Sequence, residues 1–128
     1  TLSDFIRLSG YFFKQPDLAK AELVFKSSTV LDSLKGLRAA YDALEKAPVP
    51  QWESVEKLNQ VLTETVKRAT LKNGDVFWPV RVALSGESAS PSPAELLFVF
   101  GKEESLKRLK EGIRQLEKQK PAEHIKSR

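Results

Sequence analysis

Arg81 stands between Val80 and Val82 in Phe77-Trp78-Pro79-Val80-Arg81-Val82-Ala83-Leu84-Ser85-Gly86, a stretch otherwise made almost wholly of apolar residues. A guanidinium held rigidly there can aim a planar fork of donors at a planar acceptor such as a nucleobase edge. An arginine whose stem covers core surface, or which joins an ion pair, fits the same spacing. The segment that follows, Glu87-Ser88-Ala89-Ser90-Pro91-Ser92-Pro93, is poor in bulky side chains. A helix beginning at Ser92 would offer backbone N–H groups and room for a splayed base or a phosphate. A plain connector between helices has the same composition.

Other constellations are few. The paired acids Glu103-Glu104 open a helix, where carboxylates favour the positive end of the dipole, and they carry no acid–base assignment. Gly86 and Gly101 lie fifteen residues apart, so no phosphate-cradling glycine spacing exists. The chain of 128 residues has no Cys, which excludes disulfides, thiolate nucleophiles, iron–sulfur clusters and structural zinc fingers. Its one histidine, His124, falls in the terminal tail and supports neither a triad nor a multi-histidine metal site. No catalytic, cofactor-binding or metal-ligating residue is assigned.

Charge separates along the chain. Residues 1–101 carry 12 basic and 12 acidic side chains, whereas residues 102–128 carry 9 and 5, so the formal excess of +4 sits at the C-terminal end. Such an excess attracts nucleic acid or an acidic partner in a salt-dependent way, and it also suits a solvated helix face running into a basic tail. Lys107, Arg108 and Lys110 are the candidate phosphate contacts. The longest apolar runs, Val76 to Val80 and Leu96 to Phe100, are far too short to span a bilayer, and Thr1 to Phe13 shows no secretory pattern. A cytoplasmic monomer is expected.

Helical spacing must position these residues. Leu2, Phe5, Ile6, Leu8 and Phe12 predict a first helix, ended before Pro16, and Asp17 can cap a short second one to about Phe25. A third starts near Ser28, with Val30, Leu31, Leu34, Leu37, Tyr41 and Leu44 in one stripe, and stops before Ala47-Pro48-Val49-Pro50. Trp52, Val55, Leu58, Leu62, Val66 and Ala69 define a fourth to about Leu71, with Lys72-Asn73-Gly74 as its stop. Asp75 can cap a fifth, which holds Pro79 in or near its first turn and ends before Gly86. Ser92-Pro93-Ala94-Glu95 reads as a capping box, opening an apolar helix that Gly101 ends. Leu106, Leu109, Ile113 and Leu116 define the last helix. No alternation supports a strand pair. The expected fold is all-α, a bundle of about six to seven helices with Pro48/Pro50 as the internal subdomain boundary. Residues 1–47 form an N-terminal helical part, 48–118 a C-terminal helical subdomain, and 119–128 a flexible tail.

Pro79-Val80-Arg81-Val82-Ala83-Leu84-Ser85-Gly86, then Ser90-Pro91, then Gly101-Lys102-Glu103-Glu104-Ser105-Leu106-Lys107-Arg108-Leu109 closely resembles the C-terminal end of bacterial glutamyl-tRNA synthetases. Thr1-Leu2-Ser3-Asp4-Phe5 followed by Tyr11-Phe12-Phe13 is similar to the start of their anticodon-binding region. The resemblance covers roughly residues 1–117, with Val80 and Ser85 standing where the family has Leu and Thr. It extends to no part of the catalytic domain. It implies a helical cage in two subdomains that binds the anticodon loop of tRNA(Glu), without cofactors of its own; ATP and magnesium serve the parent enzyme, a glutamate–tRNA ligase. By position, Arg81 matches the arginine at the first anticodon base, and Ser90 and Pro91 match residues lining the second. Pro93 and Ala94 fall where the family often places larger apolar contacts, although Ala94 has no ring for a base to stack on. The family's third-base reader maps at or just before Thr1. A helical protein-interaction module, whose basic last helix takes an acidic partner, is the other reading of the same residues.

Overall fold

The computed structural model describes residues 23–24, 28–86 and 91–119. The two helices expected before Phe25, residues 87–90 and the tail with His124 lie outside that set. Helix α1 runs Val30–Lys46 and is capped by Thr29, whose Oγ1 accepts from the Asp32 amide at 3.0 Å. Leu34, Leu37, Ala40 and Leu44 of its stripe are buried, spaced three and four apart. Leu31 departs from the expected stripe and is 45% exposed.

Pro48 and Pro50 deny the chain two amide donors, and a 3-10 turn, Val49–Glu53, replaces α-helix there. Trp52 therefore enters the core from this turn, rather than from the helix the sequence assigns it to. Helix α2 (Val55–Ala69) follows, capped by Ser54, with Leu58, Leu62 and Val66 inward. It closes on Thr70 at φ 58°, so Asn73-Gly74 is not its stop.

Those two residues instead form the first turn of α3 (Asn73–Ser85). Asp75 is buried in that turn, where its Oδ2 accepts from the Lys72 amide at 3.0 Å and its Oδ1 from Ser28 Oγ at 2.5 Å. Pro79 consequently lies within the helix, not in its first turn, and has no N–H to give to the Asp75 carbonyl. Gly36 of α1 lies against that carbonyl so closely that a Cβ there would lie 2.0 Å from the oxygen. Gly86 ends α3 at φ 81°, as expected.

Helix α4 (Pro93–Lys118) opens with the capping box: Ser92 Oγ accepts from the Glu95 amide at 3.3 Å, and Glu95 Oε1 from the Ser92 amide at 3.2 Å. Gly101, at φ 83° and ψ 171°, breaks it into a first arm to Phe100 and a second arm from Lys102. Against the six to seven helices expected, the described residues hold four and the 3-10 turn, with no strand. One hydrophobic cluster joins them across Pro48–Pro50, drawing Leu37 and Leu44 together with Leu58, Val80, Leu97 and Leu109. No helix among the described residues is long and apolar enough to cross a membrane.

Candidate nucleic-acid interface

Arg81 sits one turn before the end of α3, on the face shared with Phe77 and Trp78, which lie four and three residues earlier. All three are half-buried. The Arg81 Nε is enclosed while the residue as a whole is only partly covered, as for an arginine whose stem lies over core surface. Its carbonyl accepts from Ser85 Oγ at 2.9 Å, and the Gly86 amide returns to the Val82 carbonyl at 2.6 Å. The last turn of α3 is thus tied down before the chain leaves the helix.

The other side of the gap is the start of α4. Pro91 is half-buried, and Ser90 lies outside the described residues. Pro93 and Ala94, the positions matched to larger apolar contacts, are both buried, Ala94 at 1% exposure. They belong to the core at the start of the first arm. The N-terminal amides of α4 are partly taken by the capping box.

Lys107 and Lys110 point outward from the second arm and are exposed. Lys118 extends that stripe, and none of these three has a carboxylate within 4.0 Å among the described residues. Arg114 shares the stripe but is engaged: its fork, and then the Gln115 amide, holds the Glu111 carboxyl below its ordinary range. The Glu111 carboxylate in turn raises Arg114.

Arg108 differs from its neighbours: it is 2% exposed, with its guanidinium bonded to Glu104 and to the Leu84 carbonyl and lying against Phe100. Sequence reading missed this role, although the i, i+4 spacing of Glu104 and Arg108 carried a trace of it. The motif residue Lys102 is likewise architectural: its Nζ donates to the Ala47 carbonyl at 3.0 Å, at the C-terminus of α1.

Comparison with known proteins bears on this arrangement. A family model described as "Anticodon binding domain" matches residues 1–113. The chain is 48% identical over 86 residues to the glutamate–tRNA ligase of Clostridium novyi (strain NT), covering 66% of this chain and 17% of that protein. With the glutamate–tRNA ligase of Clostridium botulinum (strain Eklund 17B / Type B) it shares 36% identity over 115 residues, 88% of this chain and 24% of the relative. Glutamate–tRNA ligase 1 of Coxiella burnetii (strain CbuK_Q154) is 32% identical over 116 residues, 89% of this chain and 24% of its own length. The chain therefore spans about a quarter or less of the curated relatives named here.

Proposed function

Since the chain belongs to the anticodon-binding domain family, we propose that it is the anticodon-binding part of a glutamate–tRNA ligase and that it takes the anticodon loop of tRNA(Glu). The match over residues 1–113 carries this reading. Arg81 is the reader of the first anticodon base: it is half-buried with its Nε enclosed, and a guanidinium carries the planar, directed donors that a base edge needs. Ser90 and Pro91 line the second base. Lys107 and Lys110 hold backbone phosphates as exposed point charges, contributing affinity without sequence information. Pro93, Ala94 and Arg108 are left out of the contact set because they are buried.

The domain supplies affinity and discrimination as a cytoplasmic monomer. Bond formation, with ATP and magnesium, belongs to the remainder of a longer ligase. Filter binding of the chain to tRNA(Glu), beside the same tRNA with a changed anticodon, tests the proposal. Tighter binding of the glutamate anticodon supports it. Equal or absent binding of the two RNAs overturns it and favours a protein-interaction module.

A further inference from the structure

Arg108 is a cation that the fold keeps inside. From Nη1 it donates to the Leu84 carbonyl at 2.7 Å, from Nε to Glu104 Oε2 at 2.7 Å, and its Cζ stands 4.1 Å from the centroid of the Phe100 ring. These partners occupy three segments: the last turn of α3, the second arm of α4 and the end of the first arm. A planar guanidinium meets all three at once, with two directed donors and a face for the ring, where a lysine has one compact charge. Burying such a cation is costly unless it is paired and hydrogen-bonded, and here it is both.

The place it occupies is a joint. Gly101 breaks α4 between Phe100 and Glu104, and the Ser105 Oγ bond to the Leu97 carbonyl across that break is long, at 3.5 Å. Arg108 adds its ring contact to Phe100 across the break and, through the 2.7 Å bond to the Leu84 carbonyl, carries the tie on to α3, one turn beyond Arg81. Arg81 in turn has its carbonyl held by Ser85, the residue after Leu84. The bond from Arg108 thus reaches the same turn that carries Arg81.

We propose that Arg108 is a positioning residue for anticodon reading, fixing the last turn of α3 against both arms of α4 and so fixing where the Arg81 guanidinium is aimed. The proposal rests on the reading of Arg81 as the first-base reader. A base-edge contact is directional and weakens steeply as its donors tilt, so loosening the joint lowers discrimination before it lowers non-specific affinity.

The test uses the full chain and two anticodon stem-loop RNAs, one with a glutamate anticodon and one with its first base changed. Arg108→Lys is expected to lower the ratio of the two affinities by about 2- to 30-fold, the range for residues that tune coupling without touching ligand. The dependence of affinity on salt stays at the wild-type slope, because no phosphate contact is lost. Glu104→Ala moves partway in the same direction, and Glu104→Gln, which keeps an acceptor for Nε, restores the ratio. Equal weakening of both RNAs alongside a lower unfolding midpoint makes Arg108 merely structural and overturns the proposal. A salt slope lower by about one unit makes it a phosphate contact and overturns it too. If Arg108→Lys does not fold, the Glu104 pair decides, and full discrimination in Glu104→Ala sinks the idea. A wild-type chain indifferent to the first base removes the Arg81 reading and this one with it. Discrimination lost in Arg81→Ala but kept in Arg108→Lys overturns this one alone.

Discussion

Two arginines of the same motif region have opposite fates, and each predicts a different measurement. Arg81 is half-buried, and Arg81→Ala should cost about 1–3 kcal/mol toward the glutamate anticodon, by analogy with bidentate base contacts. That loss should shrink when the first anticodon base is altered, since the contact is then already absent. Titrations of both proteins against both RNAs, with a melting curve for each protein, check it. Lys110→Ala should behave otherwise, weakening every RNA alike and reducing the salt slope by about one unit. An anticodon-selective loss in Lys110→Ala would contradict its assignment to the backbone.

Two glycines carry the predictions at the scale of elements, for different reasons. At Gly36 the obstacle is neighbouring backbone: a Cβ would lie 2.0 Å from the Asp75 carbonyl oxygen and 2.8 Å from its carbon. The carbonyl is backbone of buried Asp75 in the first turn of α3 and cannot swing aside as a side chain would, so α1 and α3 must separate. Gly36→Ala should lower stability by about 1–3 kcal/mol or somewhat more, read as an earlier urea midpoint. At Gly101 space is free, with nothing within 4 Å, but φ 83° and ψ 171° lie in a region essentially reserved for glycine. Gly101→Ala should therefore cost about 1–3 kcal/mol from strain alone. A midpoint unchanged in Gly101→Ala would mean the break between the arms is not maintained in solution.

Charge and length act on the whole molecule. The excess of +4 arises from residues 102–128, and the exposed lysines of α4 bring part of it to one surface. RNA binding by the chain alone should be weak and fall steeply with added salt. A tRNA gripped also at a second site gains an avidity factor that can reach about 10²–10⁴, and the chain by itself forgoes it. Purified chain should also support no ATP–pyrophosphate exchange above a no-protein control, because its sequence contains no adenylation signature.

Periodicity and capping chemistry made most of the described helices legible beforehand. Leu34, Leu37 and Leu44, then Leu58 and Leu62, face inward as their spacing requires, Ser92 and Glu95 close the expected box, and Gly86 and Gly101 end their segments. These features depend on residues within a turn or two of one another, so the order of side chains alone determines them. The start of α3 was misread because Asn-Gly is as much a stop signal as a tolerable first turn; Asp75, held by Ser28 from 47 residues away, decides between them. Leu31 is exposed although it falls within the apolar stripe, and Pro93 and Ala94 go inward at the start of the first arm, beside Leu96 and Leu97. Arg108 is the sharpest case. Its sequence neighbours Lys107 and Lys110 are exposed, and Lys107 has an acid four residues back in Glu103 just as Arg108 has in Glu104, so local spacing does not single Arg108 out. Burial of a guanidinium requires acceptors and a ring face converging from separate segments, and the Leu84 carbonyl, 24 residues away, meets it only once α3 and α4 have packed.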